Sequence, residues 1–167
     1  MKEVIKKVLN ETVNAKELLS KGEEINNIYR SLSDTKISGN RRTGETSWDE
    51  LFWFIIDMVD YKSDNDYRRI NKLFIDLNRF AGVSTNLINK FRSILGFKID
   101  VIESRIGNDV RGVSDDSWSD VRYDVVSRGK DFYNKALNDY TVVQKMIDND
   151  DYKESFSYAI PYEDELI

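Results

Sequence analysis

Asp116, Asp120 and Asp124 stand four residues apart, a spacing that puts three carboxylates along one face of a helix. Carboxylates are the groups most able to do chemistry here, because the chain of 167 residues has no His and no Cys. That removes thiolate and imidazole metal ligands, cysteine nucleophiles and the Ser-His-Asp arrangement. Three carboxylates in a row suit Mg²⁺ or Mn²⁺ when a facing helix adds oxygen ligands. They equally suit a solvated helix face with Arg122 and Arg128 nearby, and this is the preferred reading. Asp148-Asn149-Asp150-Asp151 has part of a Ca²⁺-loop pattern but lacks the Gly and the terminal Glu at the required spacing. Gly129-Lys130 lacks the Gly-rich approach of a phosphate-binding loop. No catalytic residue, metal or cofactor is therefore expected. A hydrolase using two acids that meet across helices stays open, because sequence does not show such meetings.

The most distinctive stretch is Val113-Ser114-Asp115-Asp116-Ser117-Trp118. Ser114 has the character of a helix N-cap, and Asp115 and Asp116 fall in the first turn. There each carboxylate interacts with the positive end of the helix dipole, by roughly 0.3–1 kcal/mol. Trp118, Val121 and Val125 then face inward. Alternatively, Arg122 beside Trp118 and a helix N-terminus suits a phosphate or carboxylate ligand, although the two aspartates oppose an anion at that place.

The tail carries a second pattern. Residues 139–167 hold two basic and eight acidic residues, whereas residues 1–46 hold nine basic and seven acidic; the whole chain is at −5. Within the tail, Tyr152, Tyr158 and Tyr162 alternate with Asp148, Asp150, Asp151 and Glu154. Tyrosine is enriched in interfaces, and surrounding carboxylates suit a basic cleft. The competing reading is that these aromatics pack the last elements onto the core. With a pI near 4.9 and basic residues clustered only in short pairs such as Arg41-Arg42, direct nucleic-acid binding is not expected.

These residues need a scaffold, and the sequence reads as all-α: one compact domain of about six to eight helices. A single proline, Pro161, and apolar residues at helical spacing support this. The first helix starts with Val4, Ile5 and Val8, with Gly22 as a break, and residues 33–46 read as a polar loop. Residues 1–46 thus form a helical region with a loop, and residues 47–167 the helical core. Ser47-Trp48-Asp49-Glu50 has the form of a capping box, followed by a helix apolar nearly all round. Asp64 caps the next helix, which Gly82 ends. Ser84 opens a long helix that Gly107 stops, with Gly96 as a bend. Further helices span about 114–128, 130–138, 141–148 and 153–160. The first residues form neither a signal peptide nor an anchor, and no window approaches the roughly 18 apolar residues of a membrane span. The expected location is the cytoplasm.

The run Ser114-Asp115-Asp116-Ser117-Trp118-Ser119-Asp120-Val121-Arg122, with Gly129, Phe132-Tyr133 and Ala136-Leu137, resembles the signature block of bacterial domain-of-unknown-function family 4240. Phe52-Trp53 and Tyr162-Glu163 match its outer helices, and the resemblance covers about residues 47–165. The chain departs from the family at Gly112-Val113, where Gly-Gly-Cys is usual, and at Asp124, where Trp is usual. The resemblance implies a helical scaffold and no assigned activity.

Two classes of function follow. The first is a non-catalytic cytoplasmic binding protein, in concrete form an immunity protein that neutralises a cognate bacterial toxin, such as a nuclease, through the acidic, aromatic tail. Its partner is then a protein with a basic cleft, and self-association stays open. The second is a ligand-sensing domain or carboxylate-based enzyme using the Ser114–Arg122 region. The inhibitor ranks first and a scaffold second.

Overall fold

The structure, a computed structural model, describes residues 2–35, 41–61, 66–154 and 156–167, without the side chains of residues 2–13, 33–35 and 41–47. Among the described residues, seven helices run in order: α1 (Lys2–Thr35), α2 (Arg41–Val59), α3 (Tyr67–Phe80), α4 (Thr85–Ile106), α5 (Asp115–Ser127), α6 (Lys130–Asn138) and α7 (Tyr140–Asp148). Two 3₁₀ turns follow, Phe156–Tyr158 and Glu163–Glu165. No strand occurs among the described residues, and no described helix is long and apolar enough to cross a membrane.

The centre is α4. Leu87, Ile88, Phe91, Leu95, Ile99, Ile102 and Ile106 recur at helical spacing and are all buried, each stabilising the fold by about 1.5–3 kcal/mol. Its ends are where the sequence places them. The Ser84 hydroxyl accepts from the Leu87 amide at 3.2 Å, and the Gly107 amide donates to the Glu103 carbonyl. No break interrupts the helix at Gly96. Packed against it are α2, with Leu51, Phe52, Trp53, Ile55, Ile56 and Val59 buried, and α5, burying Val121, Val125 and Val126. Ile25 and Leu32 of α1 join the same core.

Several expectations are corrected. Gly22 does not end α1. A β-carbon there would lie 2.4 Å from the Ala81 Cβ and 2.9 Å from its carbonyl oxygen, so this glycine allows α1 and the end of α3 to touch. The loop at residues 33–46 is much shorter, because α1 runs to Thr35 and α2 starts at Arg41. Residues 36–40 are outside the described residues. Ser47 therefore lies inside α2 rather than at its cap, and its side chain is outside the described residues. Apolar spacing marks where a helix meets the core, and helices continue beyond that contact. Asp66, not Asp64, caps α3 by accepting from the Arg68 amide at 3.0 Å; Asp64 is outside the described residues. The last helix shrinks to the turn Phe156–Tyr158, since Pro161 disfavours helical backbone at Ile160.

Candidate functional site

The Ser114 motif folds as a cap and a lock. The Ser114 hydroxyl accepts from the Ser117 amide at 3.2 Å, and Asp115 and Asp116 are exposed in the first turn of α5. Four residues on, the Trp118 indole donates to Glu103 Oε2 at 2.6 Å. Arg122 Nη1 reaches the same oxygen at 3.2 Å, and its guanidinium lies 5.7 Å from the Trp118 ring centroid. One carboxylate from α4 thus fills the place where an anionic ligand would sit. Sequence reasoning missed Glu103, because nothing in its local spacing marks it. Gly129 starts α6 with φ +96°, and a β-carbon there would meet the Asp57 carboxylate at 3.3 Å; its role is a tight turn.

The three aspartates of α5 do share a face, yet they grade from exposed to buried. Asp116 is exposed, Asp120 is half-buried and Asp124 is 2% exposed. They do not converge on a cation: no group of three or more acidic side chains placed to hold a metal occurs among the described residues. Asp124 instead accepts from Arg128 Nε at 2.9 Å and pairs with Nη2 at 2.9 Å. Two opposed effects act on its carboxyl. Burial pushes it above the ordinary carboxylate range, while Arg128 pulls it down, and burial wins.

Around this pair lies the acidic loop. Helix α7 closes with the Asp151 amide donating to the Met146 carbonyl at 2.7 Å and the Asp150 amide to that of Ile147 at 3.1 Å. This is a Schellman ending, in which the residue in left-handed backbone is usually glycine. Here it is Asp150, at φ 51°. Past it, Arg128 Nη2 donates to the Asp151 carbonyl at 2.6 Å, and the buried Tyr61 hydroxyl donates to the Glu154 carbonyl at 2.7 Å. The Tyr61 hydroxyl is pushed up to about 12, first by burial and then by Asp124, Asp120 and Asp66. Carboxylates of the α3 cap and of α5 therefore lie within electrostatic reach of the point where Tyr61 grips the loop. Asp66 was not legible as a member of this face, because nothing in its local sequence relates it to the loop after α7.

The other tail residues separate. Asp148 accepts from Gln144 on its own helix at 2.8 Å. Tyr152 is half-buried against the core, and Phe156 is fully buried on the Tyr61 ring, with centroids 4.9 Å apart. Tyr158 and Tyr162 remain 62% and 63% exposed. They rest on different helices, Tyr158 beside Tyr67 of α3 at 5.9 Å and Tyr162 over Arg92 of α4 at 5.3 Å. The tail is a strap across several helices, and of the tail residues singled out, Asp151 meets Arg128 and Glu154 meets Tyr61 through its carbonyl.

No protein-family profile matches this chain, no curated protein matches it, and no solved structure matches it.

Proposed function

We propose that this is a non-catalytic binding protein that inhibits a basic protein partner, as a cytoplasmic immunity protein does when it blocks a bacterial toxin such as a nuclease. The observation that carries the reading is the loop after α7. Asp150, Asp151 and Glu154 are exposed there, on a backbone tied down from α5 and from Tyr61. A carboxylate side chain stands at Asp150, in left-handed backbone where glycine is the usual residue. Exposed carboxylates on a preformed loop speed encounter with a cationic surface and lower the ordering cost of binding.

The test is affinity capture from the native cell with the wild-type chain and with an Asp150→Lys, Asp151→Lys double variant. One stoichiometric partner with a basic domain, lost or weakened by about 100-fold on charge reversal and weakened by salt, is the expected outcome. Equal affinity for both chains would take the loop out of the interface. Recovery of the chain alone would point to self-association and against inhibition.

A further inference from the structure

A groove runs along the outer side of α1 where that helix meets the end of α3. Leu19 and Phe80 both line it, and they stay 53% and 67% exposed, while Phe74 and Leu77 of the same α3 are buried. Single exposed apolar residues are ordinary on a protein surface, but two large ones lining one groove mark a surface with something to bury. The two walls are fixed to each other. Gly22 lets α1 touch Ala81, and the Asn26 amide donates to the carbonyls of Ala81 and Gly82, at 3.3 Å each. The groove is therefore preformed, which spares an occupant the entropy of ordering it. Its charge is one acid and one base on the same wall. Glu23 and Arg30 line the groove and are exposed. Among the described residues, neither is paired with an opposite charge. They stand seven residues apart on α1, two turns and about 10 Å along the axis.

We propose that a second copy of this chain docks in the groove, the two α1 helices running antiparallel about a two-fold axis, so that Glu23 of each copy meets Arg30 of the other. A half-turn about an axis between the two residues lays acid on base twice, so the patch is its own complement. Asn27 lies between them in sequence and is exposed. An amide is both donor and acceptor, so it can face its own copy across the axis. Removing Leu19 and Phe80 from water on both copies supplies the main favourable contribution. The groove shares no residue with the loop after α7, so dimerisation and the binding proposed above are separate claims.

Sedimentation of the full chain over a concentration series tests this. The wild type is expected to form a dimer that dissociates on dilution. Glu23→Arg and Arg30→Glu each bring like charges together twice and are expected to weaken association by about tenfold or more. The double variant Glu23→Arg, Arg30→Glu remakes both pairs and is expected to return to within about threefold of the wild type. Phe80→Ser is expected to weaken association as well. A wild type that stays monomeric at the highest concentration overturns the proposal. A dimer that ignores both single reversals also overturns it, because its interface is then elsewhere. A double variant no stronger than the single ones rules out the two-fold pairing. All three side chains are exposed, so each variant is expected to keep the helical circular dichroism of the wild type. If Phe80→Ser does not fold, the charge variants decide the question without it.

Discussion

Two cations in this molecule are each held by a carboxylate and aromatic rings, yet they serve opposite ends. Lys98 of α4 lies over the rings of Phe52, Trp53 and Tyr133, at 5.8, 5.1 and 5.4 Å from their centroids, and pairs with Asp49 of α2. Asp49 also accepts from the Trp53 indole at 3.1 Å and lies 3.7 Å from Lys130 of α6. Every group in that cluster comes from a helix, and the Lys98 side chain is only 12% exposed. Arg128 has the same ingredients in Asp124 and Phe132, but one of its partners is loop backbone, and the carboxylates beyond it face water. A cation enclosed by helices joins them, whereas one at the rim can hold a surface in shape. The chemistry is shared, and the place in the fold sets its use.

The largest effect expected from breaking this comparison is at Lys98. Lys98→Ala empties the aromatic cage and strips Asp49 of its main partner, at a cost of about 2–4 kcal/mol in urea unfolding. Lys98→Met, which keeps the apolar stem, should cost about 1 kcal/mol. Equal losses for both would show that charge rather than packing holds the junction. Neither variant should alter amide exchange in the acidic loop.

The cap of α5 comes next. Ser114→Ala should cost about 1 kcal/mol, read as a lower thermal midpoint, and should leave partner binding unchanged. A loss of binding there would move the interface to the Ser114–Arg122 region.

At the rim, Asp124 gives a pH signature. Its carboxyl sits above the ordinary value in the folded chain, so the folded state takes up the proton first. Its contribution to stability is complete below the ordinary carboxylate range and is lost as pH rises through the raised value. Thermal midpoints followed from pH 7 downward should therefore show a component that Asp124→Asn removes. Asp139 behaves oppositely, since bonds from Thr141 lower its carboxyl. Its contribution is present above the ordinary carboxylate range and is lost as pH falls through the lowered value, so Asp124→Asn leaves that component in place.

The smallest effect is at Asp150. Asp150→Gly relieves the left-handed backbone and should stabilise the chain by about 0.5 kcal/mol or less, partly offset by glycine's entropy. If the loop binds a partner, the same change should weaken binding. A variant that gained stability and kept full affinity would detach the strain from function.

Where chain-local chemistry decides, the sequence was legible. Ser84 and Ser114 cap their helices by accepting amides three residues on, and the apolar stripe of α4 needs only its own 3.6-residue period. The same reasoning misplaced the start of α2 and drew a helix over residues 153–160. Both errors lie where one face is polar or the chain turns repeatedly, so that periodicity carries little information. For the candidate site, Asp150, Asp151 and Glu154 were singled out from composition, while Arg128 as their support and Asp66 and Asp120 as their surroundings were not.

The sequence by itself determined an all-α chain without imidazole or thiol chemistry, carrying an acidic, aromatic tail. Those are properties of residue type and short-range spacing, which survive any arrangement of the helices. The tertiary structure alone decided that Glu103 would occupy Trp118 and Arg122, that Phe156 would enter the core while Tyr158 and Tyr162 stayed out, and that Arg128 would reach the Asp151 carbonyl. Each is a contact between residues from 15 to about 95 positions apart. Which side chains meet across such distances depends on how the helices pack against one another, and that follows from the whole core rather than from any local run of residues.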